Sequence, residues 1–296
     1  MTIHSGSSEF PRDDFLARLS VNQMTTRKWD FEEDITFYPQ AGFRYMGVNR
    51  QKLHELHHDC ARHLLEESGL KVSSLSWVGG FTRDNDFPLK EAIKECREYI
   101  EISRHLNART LTIVSGSQAN HIRPHAKRLI VDTLRQLGYY AGEWGLELAL
   151  MPMHRKFHEQ WTFLHCLSDA VELIERVNLP NVGLCVNLFQ LGGKQLCLEE
   201  FKSCIPHIKS MQLNDVSGKP ASEWDQYPPG QGQLPLGQIL HLLYEHNYQG
   251  LFEFDIWSDR YEPTSYNKLL KDCYQWAKSV QPTRPEINSP NRSKTV

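Results

Sequence analysis

Eight short apolar runs divide the chain at intervals of roughly 25 to 45 residues: RLSVNQM, RYMGVN, KVSSLSW, TLTIVSG, LELALM, VGLCVNLF, IKSMQL and GLFEFDIW. Each is followed by a segment whose apolar residues recur at helical spacing. Strands that alternate with helices pair in parallel, because the intervening helix carries the chain back to start the next strand in the same direction. Eight such units in about 265 residues predict a closed (β/α)8 barrel rather than an open sheet. No G-x-G-x-x-G follows the first run, which removes the main support for a dinucleotide-binding fold.

The helical segments carry their own start and stop signals. Asp30 with Glu33 three residues on forms a capping-box pattern, Pro39 is expected to disturb the last turn, and Gly42 stands where a left-handed cap belongs. Pro88 is placed in a first helical turn, with Leu89, Ile93, Cys96 and Ile100 as the inward stripe. Leu164, Leu167, Val171 and Ile174 form the equivalent stripe of the fifth helix. Residues 1–17 and 281–296 are too polar to pack and are expected to be flexible, leaving 18–280 as the barrel.

Charge narrows the partners. The 33 basic and 36 acidic residues give a net charge of -3 and are dispersed along the chain, so neither nucleic acid nor an anionic membrane is expected. Seven cysteines without a C-x-x-C pair suit a reducing compartment and are expected to be small buried hydrophobes. With no apolar leader and no stretch approaching a membrane span, the expectation is a soluble cytoplasmic protein.

In a barrel of this kind the chemistry sits at the C-terminal ends of the strands. Those ends carry amides, hydroxyls and two tryptophans, among them Asn22, Trp77, Met151, His154, Asn187, Gln212, Asp255 and Trp257. Indole rings beside amides suit a polyol, whose C–H faces stack on rings while its hydroxyls need donors and acceptors. Tryptophans that merely cap the core would look the same. Ser117, Gln118, His121 and Arg123 lie near a helix start that favours anions, and the paired glycines of VGGFT and LGGK, with Lys194, are weaker phosphate signals. His54 and His58 have metal-compatible spacing but no third ligand, so solvated surface histidines are expected.

The runs LKVSSLSWVGGFT, LELALMPMHRKFHEQWTFLHCLSDAVELIERV, VGLCVNLFQLGG, IKSMQLND, PPGQGQLPLGQIL and YQGLFEFDIWS together resemble, in order and spacing, the sugar phosphate isomerase/epimerase group of xylose-isomerase-like TIM barrels. The likeness runs from about residue 18 to 280. It implies a small sugar or polyol ligand, pairing of barrels into a homo-oligomer, and a site around Asn22, Trp77, His154, Trp161, Lys194, Gln212 and Trp257. It also implies one divalent cation (Mn, Mg, Co or Zn) held by a Glu, an Asp, a His or Gln and a second Glu at the ends of strands five to eight, the two glutamates moving a proton between adjacent carbons.

Those four positions fall on Met151, Asn187, Gln212 and Asp255, and the His of the D-x-F-H element after strand six becomes Gln190. A thioether is a soft ligand for a hard cation. At about 4 Å and an effective dielectric of about 20, a dication attracts each carboxylate by roughly 8 kcal/mol before desolvation, so losing two is decisive. No metal cofactor is therefore expected. Two expectations follow: a protein that binds a polyol, keto-sugar or sugar phosphate without metal-dependent proton transfer, or an isomerase that works without the metal, or with a displaced one, through Asp255 as base.

Overall fold

The computed structural model describes residues 15–82, 88–191 and 197–280, and within them eight parallel strands close into a barrel in sequence order. The strands are β1 (Leu19–Asn22), β2 (Tyr45–Asn49), β3 (Lys71–Gly79), β4 (Thr110–Val114), β5 (Glu147–Leu150), β6 (Val182–Asn187), β7 (Ile208–Leu213) and β8 (Phe252–Phe254). Closure is made by β1 on β8, with Ser20 opposite Glu253 and Val21 opposite Phe254.

Alternation along the strands sorts side chains into two sets. In β1 and β8, Leu19, Val21, Phe252 and Phe254 join the main apolar cluster under the helices, while Ser20, Asn22 and Glu253 turn into the barrel. Phe252 and Phe254 meet Phe15, Phe43 and Trp276 edge-on at centroid distances of 4.9 to 6.1 Å, a geometry suited to ring quadrupoles. Arg18 closes the other end. Its buried guanidinium lies 4.8 Å from the Phe252 ring and donates to the carbonyls of Tyr248 and Gly250.

The helix Phe31–Gln40 has the full capping box: Asp30 Oδ1 accepts from Glu33 N at 2.7 Å and Glu33 Oε2 accepts from Asp30 N at 2.9 Å. It carries Pro39 in its last turn and stops at Gln40, and Gly42 follows with φ at 100°. Several expectations need correcting. Pro88 caps the helix Leu89–His105 from outside rather than occupying its first turn. Leu164 is buried but precedes the helix, which runs Leu167–Val177. Phe15 packs in the core and Leu16–Arg18 form a 3-10 turn, so residues 15–17 belong to the fold and not to a flexible leader. Cys96, Cys185, Cys204 and Cys273 are buried as expected, whereas Cys60 and Cys197 are exposed and Cys166 is half-buried. Residues 1–14, 281–296 and Lys194 lie outside the described residues. Among the described residues, no helix is long and apolar enough to cross a membrane.

Candidate functional site

The barrel interior holds a carboxylate that the strand-end survey passes over. Glu253 is 1% exposed, and its oxygens accept from Asn22 Nδ2 (2.9 Å), Gln212 Nε2 (3.0 Å), Ser73 Oγ (2.6 Å) and Ser74 Oγ (2.8 Å). Two neighbouring residues of one strand ordinarily face opposite ways. Here the register slips, Met46 pairing with Val72 and Gly47 with Ser74, so Ser73 is an extra residue and both hydroxyls reach the same oxygen. Gly47 supplies the space: a Cβ there would stand 2.5 Å from Glu253 Oε2 and 2.6 Å from Asn22 Nδ2. A buried anion needs several donors to offset its lost hydration, and this one has four. The signal was present in the sequence, since FEFD in β8 alternates apolar and acidic residues at the period of a strand.

From Glu253 the hydrogen-bond polarity runs outward without ambiguity. Gln212 gives its Nε2 to Glu253, so its Oε1 faces Asn187. Asn187 Oδ1 accepts from Asn214 Nδ2 (2.9 Å) and from Gln190 N (3.3 Å), which turns its amide nitrogen toward Gln212 Oε1 (3.0 Å) and Asp255 Oδ2 (2.9 Å). Three of the four positions named by the resemblance are thereby joined through an N–H2 group, which donates where a metal ligand would have to offer a lone pair. Asp255 is buried, and its second oxygen accepts from Trp257 Nε1 at 2.8 Å. Burial first, and the neighbouring charge of Glu253 second, push its carboxyl up to about 7, against the two hydrogen bonds that favour the anion.

The fourth position is dry. Met151, Met153, Val114, Ala149 and Cys185 form a separate apolar cluster, with Trp77 and Trp161 packed against it. Met151 is 3% exposed. Among the described residues no three His, Cys, Asp or Glu side chains come together in a way that suits a metal ion.

Above these layers lies a cleft of 480 Å³ with Trp77, Trp161, Trp224 and Trp257 in its wall, together with Asn49, Arg50, Ser76, Glu95 and Glu223. Trp77 and Trp161 meet edge-on at 4.7 Å, and Trp224 lies 5.5 Å from Trp257 at 30°. Trp224 comes from the long connection after β7, which would be a poor wall were it not pinned. Asp215 pins it by accepting the backbone N–H groups of Val216, Gly230, Gly232 and Leu234 at 2.8 to 3.0 Å. Asp215 bridges Tyr227, Asp225 bridges Ser258, and the Arg260–Asp225 ion pair ties the same segment to the end of β8. The PPGQG turn is thus bound into the rim, and Gly232 allows it, since a Cβ there would stand 2.2 Å from Asp215 Oδ1.

Of the site residues expected from sequence, Trp77, Trp161 and Trp257 line the cleft, and Gln212, Asn187 and Asp255 form the network beneath. Asn22 is 1% exposed and lies inside the barrel, its Nδ2 donating to Glu253. His154 does not line this cleft. Its Nδ1 caps the short helix Arg155–His158 by accepting from Lys156 N, and its own backbone N–H donates to Gln190 Oε1. Arg123 pairs with Asp169 at 2.5 Å and lies over Phe163, an engagement the anion-site reading did not include. Trp224 and Glu223 were missed because nothing in the residues 214–235 announces that the connection folds back over the mouth.

The comparisons agree with this architecture. A family model described as xylose isomerase-like TIM barrel matches residues 37–280. The inosose isomerase of Halalkalibacterium halodurans is 25% identical over 269 residues, covering 86% of this chain and 93% of that protein. Among solved structures, a Sinorhizobium meliloti protein superposes with a TM-score of 0.80 at 19% identity, over 90% of this chain and 98% of its own. The IolI protein, crystallised with a zinc atom, superposes with a TM-score of 0.75 at 22% identity, over 89% and 96%. The chain belongs to the xylose isomerase-like TIM barrel family.

Proposed function

We propose that the cleft binds a polyol, keto-sugar or related sugar derivative, and that the divalent-metal-dependent proton transfer implied by the family has been lost. The observation that carries this reading is the Asn187 amide nitrogen, held 3.0 Å from Gln212 Oε1 and 2.9 Å from Asp255 Oδ2. A dication brought there would meet an N–H2 group, the Gln212 amide oxygen, a single carboxylate and the Met151 cluster, a donor set too poor in charge for Mg²⁺ or Mn²⁺. The indoles and amides of the wall support the ligand class, and the inosose isomerase relative points the same way. Isothermal titration with Mn²⁺, Mg²⁺, Co²⁺ and Zn²⁺ tests the proposal. No micromolar binding is expected. Micromolar binding of any of the four that disappears in Asp255→Ala would overturn it.

One observation favours a second reading, a metal-independent isomerase. The Asp255 carboxyl, pushed up to about 7, lies in the range suited to a base at neutral pH. Against this, both of its oxygens are already engaged by Asn187 and Trp257. NMR decides between the two: exchange of an α-proton of an inosose or ketose for deuterium in EDTA, lost in Asp255→Asn, would establish the second reading. Absence of exchange across such a panel is the result expected.

A further inference from the structure

The corner of the cleft at the end of β2 stands on a run of hydrogen bonds whose polarity is fixed at every step. It starts in the interior at Asp34, which is fully buried and accepts from Lys52 Nζ and Thr26 Oγ1 at 2.6 Å and from Gln23 Nε2 at 2.9 Å. With its nitrogen given to a carboxylate, Gln23 turns its Oε1 the other way, where it accepts the backbone N–H of Asn49 at 2.8 Å. Asn49 Oδ1 in turn accepts from Gln51 N at 2.8 Å and caps the short helix Arg50–His54. The Asn49 amide is thereby oriented. Its Nδ2 has no protein acceptor among the described residues, and Asn49 lines the cleft.

Arg50, the next residue, also lines the cleft and is held from three sides. Its Nη1 donates to the Trp77 carbonyl at 3.3 Å and lies 3.2 Å from Glu95 Oε1, and its guanidinium lies 5.4 Å from the Tyr99 ring. Both polar contacts use one nitrogen of the fork, so the N–H groups of Nε and Nη2 remain to be offered. Glu95, a third residue of the wall, keeps its Oε2 as an acceptor. Donor and acceptor thus stand side by side, as the two oxygens of a vicinal diol do.

We infer that Asn49, Arg50 and Glu95 form the specificity-determining corner of this cleft and read a vicinal diol of the ligand. One oxygen accepts from Asn49 Nδ2 and the Arg50 fork, and its neighbour donates to Glu95. The inference rests on the proposed polyol-binding role of the same cleft and names the group by which the ligand is recognised.

Titration calorimetry at pH 8 with three probes tests it: myo-inositol, an inosose, and cyclohexanol, which has a six-membered ring with a single hydroxyl. Asn49→Asp is the decisive variant, because Oδ1 still caps the helix while the donor becomes an acceptor. Asn49→Ser, an equally good cap without the amide donor, is the second. Each is expected to weaken the binding of myo-inositol and the inosose about ten-fold, the size of one lost hydrogen bond, with Tm retained. Arg50→Met, which keeps an unbranched chain but no donor, is expected to cost at least as much. Unchanged affinity in Asn49→Asp or in Arg50→Met overturns the inference and leaves the polyol reading standing. Cyclohexanol bound as tightly as myo-inositol, or no binding of myo-inositol and the inosose by the parent, overturns both.

Discussion

The two halves of the barrel mouth solve the same packing problem in opposite ways. On the β1, β7 and β8 side, Glu253 and Asp255 are buried among amide, hydroxyl and indole donors that run without a gap from Ser73 to Asn214. On the β5 side, Met151 and Met153 fill the interior with Val114 and Cys185, and no carboxylate belongs to that cluster. The difference teaches that a buried carboxylate survives only as part of its donor shell. The residue at 151 belongs to that apolar cluster, where a carboxylate would lack the donor shell that Glu253 has.

The largest effect expected on this contrast is from Glu253→Ala, which strands Asn22, Gln212, Ser73 and Ser74 in a dry interior. Urea unfolding should register a loss of about 3 to 5 kcal/mol. A loss below about 1 kcal/mol would mean that the polar half does not depend on its central anion. Next is Met151→Glu, expected to cost about 2 to 3 kcal/mol because the new carboxylate finds no donor among Val114, Ala149 and Cys185. Combined with Asn187→Asp, the change restores a three-carboxylate donor set, and Mn²⁺ should raise the Tm of the double variant but not of the parent. Tolerance of Met151→Glu alone would break the comparison.

The smallest effect is a pH dependence. The folded-state value of Asp255, about 7, lies above the ordinary carboxylate value of 3.8, so the native state keeps a proton that the unfolded chain releases between them. The stability contributed by this group is present at acid pH and lost as pH rises through 7. Asp34, raised by burial to about 6, acts in the same direction but is common to both proteins and cancels in the difference. Asp255→Asn should therefore gain about 2 kcal/mol relative to the parent between pH 5 and pH 8, measured by unfolding at each pH. A flat difference would place the anion, not the acid, in the native state.

The barrel was legible because its signal is periodic and repeated: eight apolar runs separated by amphipathic segments leave little choice of architecture. Met151 and Asn187 stood out because the resemblance places a Glu and an Asp at those positions, and the structure puts Met151 in an apolar cluster and Asn187 in a hydrogen-bond network. Glu253 was overlooked for a geometric reason, lying one inward step before the strand end. The paired serines 73 and 74 could not be read from alternation, since the extra residue in β3 breaks the period that such a reading relies on. Trp224 escaped because the path of its connection depends on Asp215 gathering three distant amides, those of Gly230, Gly232 and Leu234, and a loop's path set by one side chain leaves no periodic trace.

That gathering has a consequence for how the cleft would be entered. With Asp215 holding the far part of the connection, and Trp257, Arg27 and the Arg260–Asp225 pair holding the part around Trp224, the indole of Trp224 would be in place before any guest arrives. On the proposed reading, the ordering entropy of the wall is given up when the chain folds, and association would be the docking of a small molecule onto a finished surface.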